Sequence, residues 1–248
     1  MAITKSIQSE LTEKPLRVAL VLDDFYPSSS GVSRSIQSQI NELTKMGQFV
    51  TLIAPEKYFS APNNAKYITL KSVQPPGALK HTAVLSHSQK TAKHISTKHH
   101  FDIIHSQTDT GALTLAARIA NIQNIPHIHT FHTNMAGSID YYSSPKLIAA
   151  TLAYRSIALQ LHKIRRKKIT PVTSQHPLLK DLPKLAKSYW KSQALMANAV
   201  DAIVTPSKYM LKYIQAAAPN KEFYKRSIPN GYNDNLYNLI NQTKAEKN

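Results

Sequence analysis

FDIIHSQTDTGALTLAARIANIQNIPHIHTFHTN, residues 101–134, decides the fold. Ile103 and Ile104 belong to a short apolar run that stops at the polar group His105, Ser106 and Gln107, as a buried parallel strand does where it leaves the carboxyl edge of its sheet. Thr114 to Ile122 is rich in Ala, Leu and Ile; Asn124 is a stop signal and Pro126 bars continuation, which together predict a helix. His127 to Thr130 alternates with period two and runs into Phe131, His132, Thr133 and Asn134. A strand, a helix and a second strand in about thirty residues make one β-α-β unit. Both strands then deliver a histidine and small hydrogen-bonding groups to one rim, the edge at which such sheets bind ligands.

The flanks repeat the pattern. Leu16 to Leu22 reads as a central strand, followed by Asp23, Asp24, a Pro/Ser loop, Gly31 and a helical stretch from Val32 to Met46 that stops at Gly47. A strand entering a Ser/Gly loop and a helix start suits a phosphate, and suits an ordinary strand-helix turn as well. Phe49 to Ile53 and Lys66 to Leu70 read as further strands, with loop between them from Pro55 to Asn64. Val73 to Lys80 is a breaker-rich connection, and Thr82 to Lys98 reads as a helix. Ser144 and Pro145 mark another helix start, continued by an apolar stripe of Ala150, Tyr154, Ile157, Leu161 and Ile164. A helix carrying Leu185, Tyr189, Trp190 and Leu195 precedes a strand from Asp201 to Thr205, and Pro206 opens one more helix. Strands alternating with helices at this spacing predict an α/β fold: a Rossmann-like open parallel sheet with helices on both faces. Residues 1–14 are polar and read as a flexible leader, 15–232 as the domain, and 233–248 as a polar tail.

The charge is lopsided, 31 Lys and Arg against 14 acids for a net +17, which favours a polyanionic partner. Eleven of those cations lie between Lys146 and Ala199 against the single acid Asp181, more than helix capping needs. Lys163, Arg165, Arg166, Lys167 and Lys168 crowd one helix end. They admit three readings: a solvated face, an anionic membrane surface, or nucleic acid. The membrane surface is the expected partner, because no recognisable nucleic-acid-reading module accompanies the charge. The absence of cysteine excludes a disulfide framework and thiolate metal sites and suits a reducing cytoplasm. With no apolar run long enough to span a bilayer and no secretory core at the start, a cytoplasmic protein peripheral to the inner face of the membrane is expected.

His127, His129 and His132 admit a metal site, satisfied core histidines, or contact by His132 with a sugar or phosphate. Metal is the weakest of these, since the next acid in sequence is Asp140. Asp24 reads as an acceptor-hydroxyl contact or a turn former. No Ser-His-Asp arrangement can be argued from spacing, and the carboxylates are too scattered for a hydrolase pair.

FDIIHSQ, a helix and IPHIHTFHTN together resemble the acceptor-domain core of family 4 retaining glycosyltransferases, which have the two-domain GT-B fold. RVALVLDDFYPSSSGVSRSI near the start, and DAIVTPSKYMLKYI with IPNG near the end, are similar to that family's first strand and loop and to its last acceptor-domain strand, helix and hinge. The resemblance runs from Arg17 to Gly231 and is nearest to enzymes that glucosylate diacylglycerol, in which a His-Thr pair precedes a Tyr-rich segment, here Asp140, Tyr141 and Tyr142. It implies that His132 holds the donor sugar and helps position the acceptor hydroxyl. It also implies that Gly31 approaches the donor diphosphate, that His105, Ser106, Thr133, Asn134 and Asp24 line the substrate site, and that a lipid is the acceptor. No cofactor or metal is implied beyond the nucleotide-sugar substrate. In the family a second domain with a glutamate pair grips most of the donor, so the expectation is an acceptor half needing a separate donor-binding domain. A non-catalytic membrane- or partner-binding module that retains the fold is the alternative.

Overall fold

Alternation along β1 (Arg17–Val21) places a helical layer on each side of it: Val18 and Leu20 point into one apolar cluster, Ala19 and Val21 into another. The computed structural model describes residues 14–74, 82–134, 136–137 and 145–230, with side chains from residue 148 in the last segment. Gly231, Tyr232, the tail, nearly all of the leader and the Asp140-Tyr141-Tyr142 segment lie outside the described residues.

After β1 come α1 (Gly31–Lys45), β2 (Phe49–Pro55), β3 (Lys66–Leu70), the short β4 (Ser72–Val73) and β5 (Val84–Leu85), and α2 (Gln89–Lys98). The central unit is β6 (Ile103–Ser106), α3 (Gly111–Gln123) and β7 (His127–Thr130). Then follow α4 (Pro145–Arg165), α5 (Lys184–Ala199), β8 (Ala202–Thr205), α6 (Lys208–Ala217) and β9 (Lys225–Ser227). Seven strands form one parallel sheet in the order β3-β2-β1-β6-β7-β8-β9. Helix α1 packs on β1 and β2 through Ile36 and Ile40, while α2 and α3 cover the opposite face through Ile95, Leu115 and Ile119. On the far side, α4 and α5 enclose Trp190 and Tyr189, with Tyr213 of α6 stacked on Trp190 at 5.0 Å. This is the expected α/β architecture.

Helix ends follow the local signals. Ser30 and Ser88 cap α1 and α2 by accepting from Ser33 N–H and Thr91 N–H, and Gly47 and Asn124 end their helices at φ of 77° and 53°. Two readings shift. The helix expected from Thr82 begins only at Gln89, because Val84–Leu85 pairs antiparallel with Ser72–Val73. The last helix begins after Ser207, whose hydroxyl caps it, with Pro206 left outside. Strand β9 was not foreseen: Lys225–Ser227 is short and polar, and only its parallel pairing with β8 makes it a strand.

One carboxylate fastens three elements. Asp23, just past β1, accepts from Leu85 N–H at 2.8 Å and Ala112 N–H at 2.9 Å, and from the hydroxyls of Thr108 at 2.9 Å and Thr110 at 2.7 Å. It does for α3 what a side-chain cap does elsewhere, and Thr110 at the cap position makes no such bond of its own. Burial pushes this carboxyl upward while the bonds pull it down. The fit leaves no space at Gly111, where a Cβ would lie 2.7 Å from Leu85 backbone atoms and 2.8 Å from Asp23 Oδ1. Gly111→Ala is therefore expected to cost about 2–3 kcal/mol in urea unfolding. Gly31→Ala, with nothing within 4 Å of the added carbon, should change stability by less than about 1 kcal/mol. Equal stabilities for the two variants would contradict this account of Asp23.

Candidate functional site

The strand order reverses between β1 and β6: the chain builds outward through β2 and β3, then returns to lay β6 on the other side of β1. Ligands of open parallel sheets bind beyond the carboxyl ends of the strands at such a switch point. Here β1 runs toward Gly31, β6 ends at Ser106 with Gln107 next, and neighbouring β7 leads to His132. Gly31 is exposed at the first position of α1, whose first turn carries no acidic residue, so the positive helix end is uncovered by any carboxylate of its own.

His132 is half-buried on this rim. Its Nε2 lies 2.9 Å from Gln107 Oε1. An amide oxygen can only accept, so the proton sits on Nε2 and Nδ1 is a lone pair. Nδ1 is out of contact with solvent and has no hydrogen-bond partner. Leaving such an acceptor unmet costs about 1–3 kcal/mol, which a ligand hydroxyl would relieve. Burial pushes the ring down to about 4, with nearby Asp109 pulling upward and His129 downward, so it is neutral at pH 7. A neutral ring with a bare lone pair suits a hydroxyl donor better than a phosphate. Gln107 is itself fully buried and paired with Gln39 of α1: its amide donates to Gln39 Oε1 at 2.9 Å, and Gln39 Nε2 donates to Gln107 Oε1 at 3.3 Å and to Ser35 Oγ at 3.2 Å.

Beneath the rim lies a second polar chain. The β6–β7 register pairs Ile104 with His127 and Ser106 with His129, which puts Ser106 between two imidazoles. Its hydroxyl is 2.8 Å from His127 Nε2 and 2.8 Å from His129 Nδ1, donating to one ring and accepting from the other. His129 Nε2 donates to Asp109 Oδ1 at 3.0 Å. Tyr154 of α4 also feels Asp109: burial first, and then that carboxylate, push its phenol well above the usual range. Ser106, His129 and Asp109 thus make a serine-histidine-aspartate sequence of contacts that spacing did not disclose. All three are buried, so no substrate reaches the serine, and the arrangement holds the strands together. His127 and His129 are core histidines in this structure: His129 is bonded through both ring nitrogens, and His127 through Nε2, with its buried Nδ1 left without a partner. Among the described residues there is no group of three or more His, Asp or Glu side chains placed to hold a metal ion.

The remaining expected residues divide. His105 is half-buried, its Nε2 sits 2.7 Å from Thr130 Oγ1, and burial pushes it down to about 3. Ser106 faces inward, as its parity with core Ile104 implies, and does not line the rim. Asp24 is buried beside Asp23. Thr133 is exposed, with its carbonyl accepting from Tyr189 Oη at 3.1 Å, and the Asn134 side chain accepts from Gly137 N–H at 3.2 Å. Gln107, Gln39 and Asp109 were missed. The same parity argument that removes Ser106 would have found Gln107.

The basic cluster also separates. Arg165 donates to Asp201 Oδ2 at 2.7 Å, and Lys167 donates to Asp201 Oδ1 at 2.7 Å and to Val200 O at 2.8 Å. Asp201 in turn accepts from His127 N–H at 2.8 Å, so these two cations brace the start of β7. Lys163, Arg166 and Lys168 are exposed. On the same helix Ile148, Leu152 and Leu159 are exposed at 53%, 65% and 39%, spaced four and seven residues apart along one stripe. No helix among the described residues is long and apolar enough to cross a membrane.

The profile of Glycosyltransferase Family 4 matches residues 29–236. An alpha-monoglucosyldiacylglycerol synthase of Streptococcus pneumoniae (strain ATCC BAA-255 / R6) is 29% identical over 150 residues, covering 60% of this chain and 34% of that protein. The chain thus spans about a third of the length of this curated relative. A glycosyltransferase from Rickettsia africae ESF-5 superposes with a TM-score of 0.49 at 15% identity, covering 95% of this chain and 48% of that one. A sucrose-phosphate synthase from Thermosynechococcus elongatus does so with 0.46 at 12%, covering 93% and 98%.

The neutral histidines make stability depend on acid. Their folded pKa values are depressed, so their contribution is full above the unfolded value of about 6.5 and is lost as pH falls toward about 4 for His132 and about 3 for His105. His127, fully buried and held well below its usual range, supplies about 1.4 kcal/mol per pH unit in that window; the half-buried pair supplies less. Urea unfolding should show a loss of about 2–5 kcal/mol between pH 7 and pH 5. A flat profile over that range would mean that the rings titrate in the fold as they do in the unfolded chain.

Proposed function

The chain belongs to Glycosyltransferase Family 4, and from that premise we propose that it forms the acceptor-side half of an enzyme moving a sugar from a nucleotide-sugar donor to a hydroxyl of a membrane lipid such as diacylglycerol. A complementary donor-binding domain completes the cleft. The observation that carries this reading is His132: a neutral imidazole on the switch-point rim, with one nitrogen fixed by Gln107 and the other without a partner.

Sugar transfer breaks the bond between the anomeric carbon and the donor diphosphate, and the departing diphosphate takes up negative charge. Gly31 and the uncovered start of α1 suit that charge, since helix N–H groups and the helix dipole favour an anion there. Open space over Gly31 lets a phosphate approach the backbone. His132 Nδ1, closed off from solvent in this structure, accepts a hydrogen bond from a sugar hydroxyl once the ring of this half-buried residue turns to open it, and so holds the reacting carbon in place. Positioning of this kind supplies a large part of the barrier reduction in bimolecular transfer. His105 and Thr133 stand on the same edge as acceptor-side wall.

The lipid acceptor is supported by the name of the Streptococcus pneumoniae relative and by the surface of α4. Its exposed Ile148, Leu152 and Leu159 lead into Lys163, Arg166 and Lys168, an apolar stripe with a cationic end that fits the interface of an anionic bilayer. Each engaged cation adds about 1 kcal/mol near anionic lipid, so three supply about 3 kcal/mol, roughly a hundredfold in partitioning. The protein would then work as a peripheral protein on the cytoplasmic face.

Two measurements test this. Transfer from nucleotide sugars to diacylglycerol should require a joined donor-binding domain and fall about 100-fold in the His132→Ala variant of the joined enzyme. Robust turnover by the chain alone, or an unaffected variant, would refute it. In vesicle sedimentation, replacing Lys163, Arg166 and Lys168 together with Glu should abolish binding to anionic but not alter the weak binding to neutral vesicles. Arg165→Ala should instead lower stability and leave vesicle binding nearly intact. A chain that ignores anionic vesicles and shifts nucleic acid would overturn the membrane assignment.

A further inference from the structure

The Gln39–Gln107–His132 chain of hydrogen bonds runs from α1 to the ring on the rim. We infer that Gln107 is a positioning residue: its amide oxygen keeps the His132 proton on Nε2 and thereby leaves Nδ1 as the bare acceptor that meets a sugar hydroxyl. Only the last step of this inference rests on the proposed function; the tautomer is a property of the protein alone.

Three observations carry it. The ring nitrogen and the amide oxygen are 2.9 Å apart, and an amide oxygen has no proton to give. Gln107 cannot drift, because its N–H is bonded to Val21 O at 2.9 Å, its side chain is fully buried, and its amide is paired in both directions with Gln39 on α1. The opposite nitrogen is shielded from solvent and has no partner, so the protein bonds one side of the ring and leaves the other an unpaired acceptor that a small turn of the ring must open. An aspartate or glutamate in the place of Gln107 would also accept from Nε2, but its charge would favour an imidazolium and remove the Nδ1 lone pair. An amide fixes the tautomer without charging the ring. The device also ties the site to α1, the helix that opens at Gly31, so that the ring and the helix start are held by one set of contacts.

The test is nitrogen-15 NMR of the histidine rings in the full chain. His132 is expected in the Nε2–H form with Nδ1 unprotonated. Gln107→Leu should convert it to a mixture of tautomers, and Gln39→Ala, on a half-buried position of α1, should do the same more weakly. Gln107→Glu should raise the His132 titration midpoint by about 1–3 pH units, against the fixed background of Asp109, His129 and His105, which are the other titratable groups acting on this cluster. A wild-type ring protonated on Nδ1, or an unchanged Nε2–H form in Gln107→Leu, overturns the inference. Should Gln107→Leu fail to fold, the wild-type spectrum and Gln39→Ala decide. The expected tautomer together with an active His132→Ala enzyme would support the role of Gln107 on the ring while refuting the glycosyltransfer reading of that ring.

Discussion

A single buried carboxylate sets the geometry from which the site follows. Asp23 takes up hydrogen bonds from the backbone of Leu85 and Ala112 and from the hydroxyls of Thr108 and Thr110, so the end of β1, the short strand β5, the β6–α3 turn and the first turn of α3 meet at one point. A carboxyl this buried is tolerated because each oxygen is surrounded by donors and sits at a helix N-terminus, although burial raises its pKa above the ordinary carboxylate value. The glycine at 111 is the steric condition for that meeting. With β1, β5 and α3 pinned at Asp23, the carboxyl edge at the switch point has a fixed base.

At that edge the protein keeps the imidazoles of His105, His127 and His132 uncharged. His127 and His129 share the hydroxyl of Ser106 and are closed off from solvent; His105 and His132 reach the rim, and burial holds these two and His127 neutral. The two layers do different work. The inner layer joins β6 to β7 and, through Asp109 and Tyr154, to α4. The outer layer orients one ring from α1 through two glutamines. A cluster of neutral rings suits recognition of sugar hydroxyls, whereas the helix start at Gly31 suits anionic phosphate, so the two halves of a nucleotide-sugar's chemistry fall to two neighbouring features of one edge.

The basic end of α4 shows how charge is divided between architecture and surface. Asp201 draws in Arg165 and Lys167 and at the same time accepts from the first N–H of β7, so these two cations are structural. Lys163, Arg166 and Lys168 stay outward, continuous with the exposed stripe of Ile148, Leu152 and Leu159. A run of five cations in sequence therefore contributes three to the surface, because helical geometry and one carboxylate choose among them.

The sequence by itself determined the parallel α/β sheet, its main strands and helices, the helix stops at Gly47 and Asn124, and the arrival of His105 and His132 at the carboxyl edge. These are local matters: apolar period, glycine and asparagine in left-handed positions, and proline, each acting within a few residues. Parity within β6 was legible too and would have turned Ser106 inward with Ile104. What only the tertiary structure decided was partnership across distance. That Asp23 rather than Asp24 fastens α3, that Gln107 finds both Gln39 and His132, and that Asp201 claims Arg165 and Lys167 depend on strand order and register, which bring together residues 25 to 89 positions apart. Hydrogen bonds act over about 3 Å, and no pattern along one strand states which other strand will lie beside it.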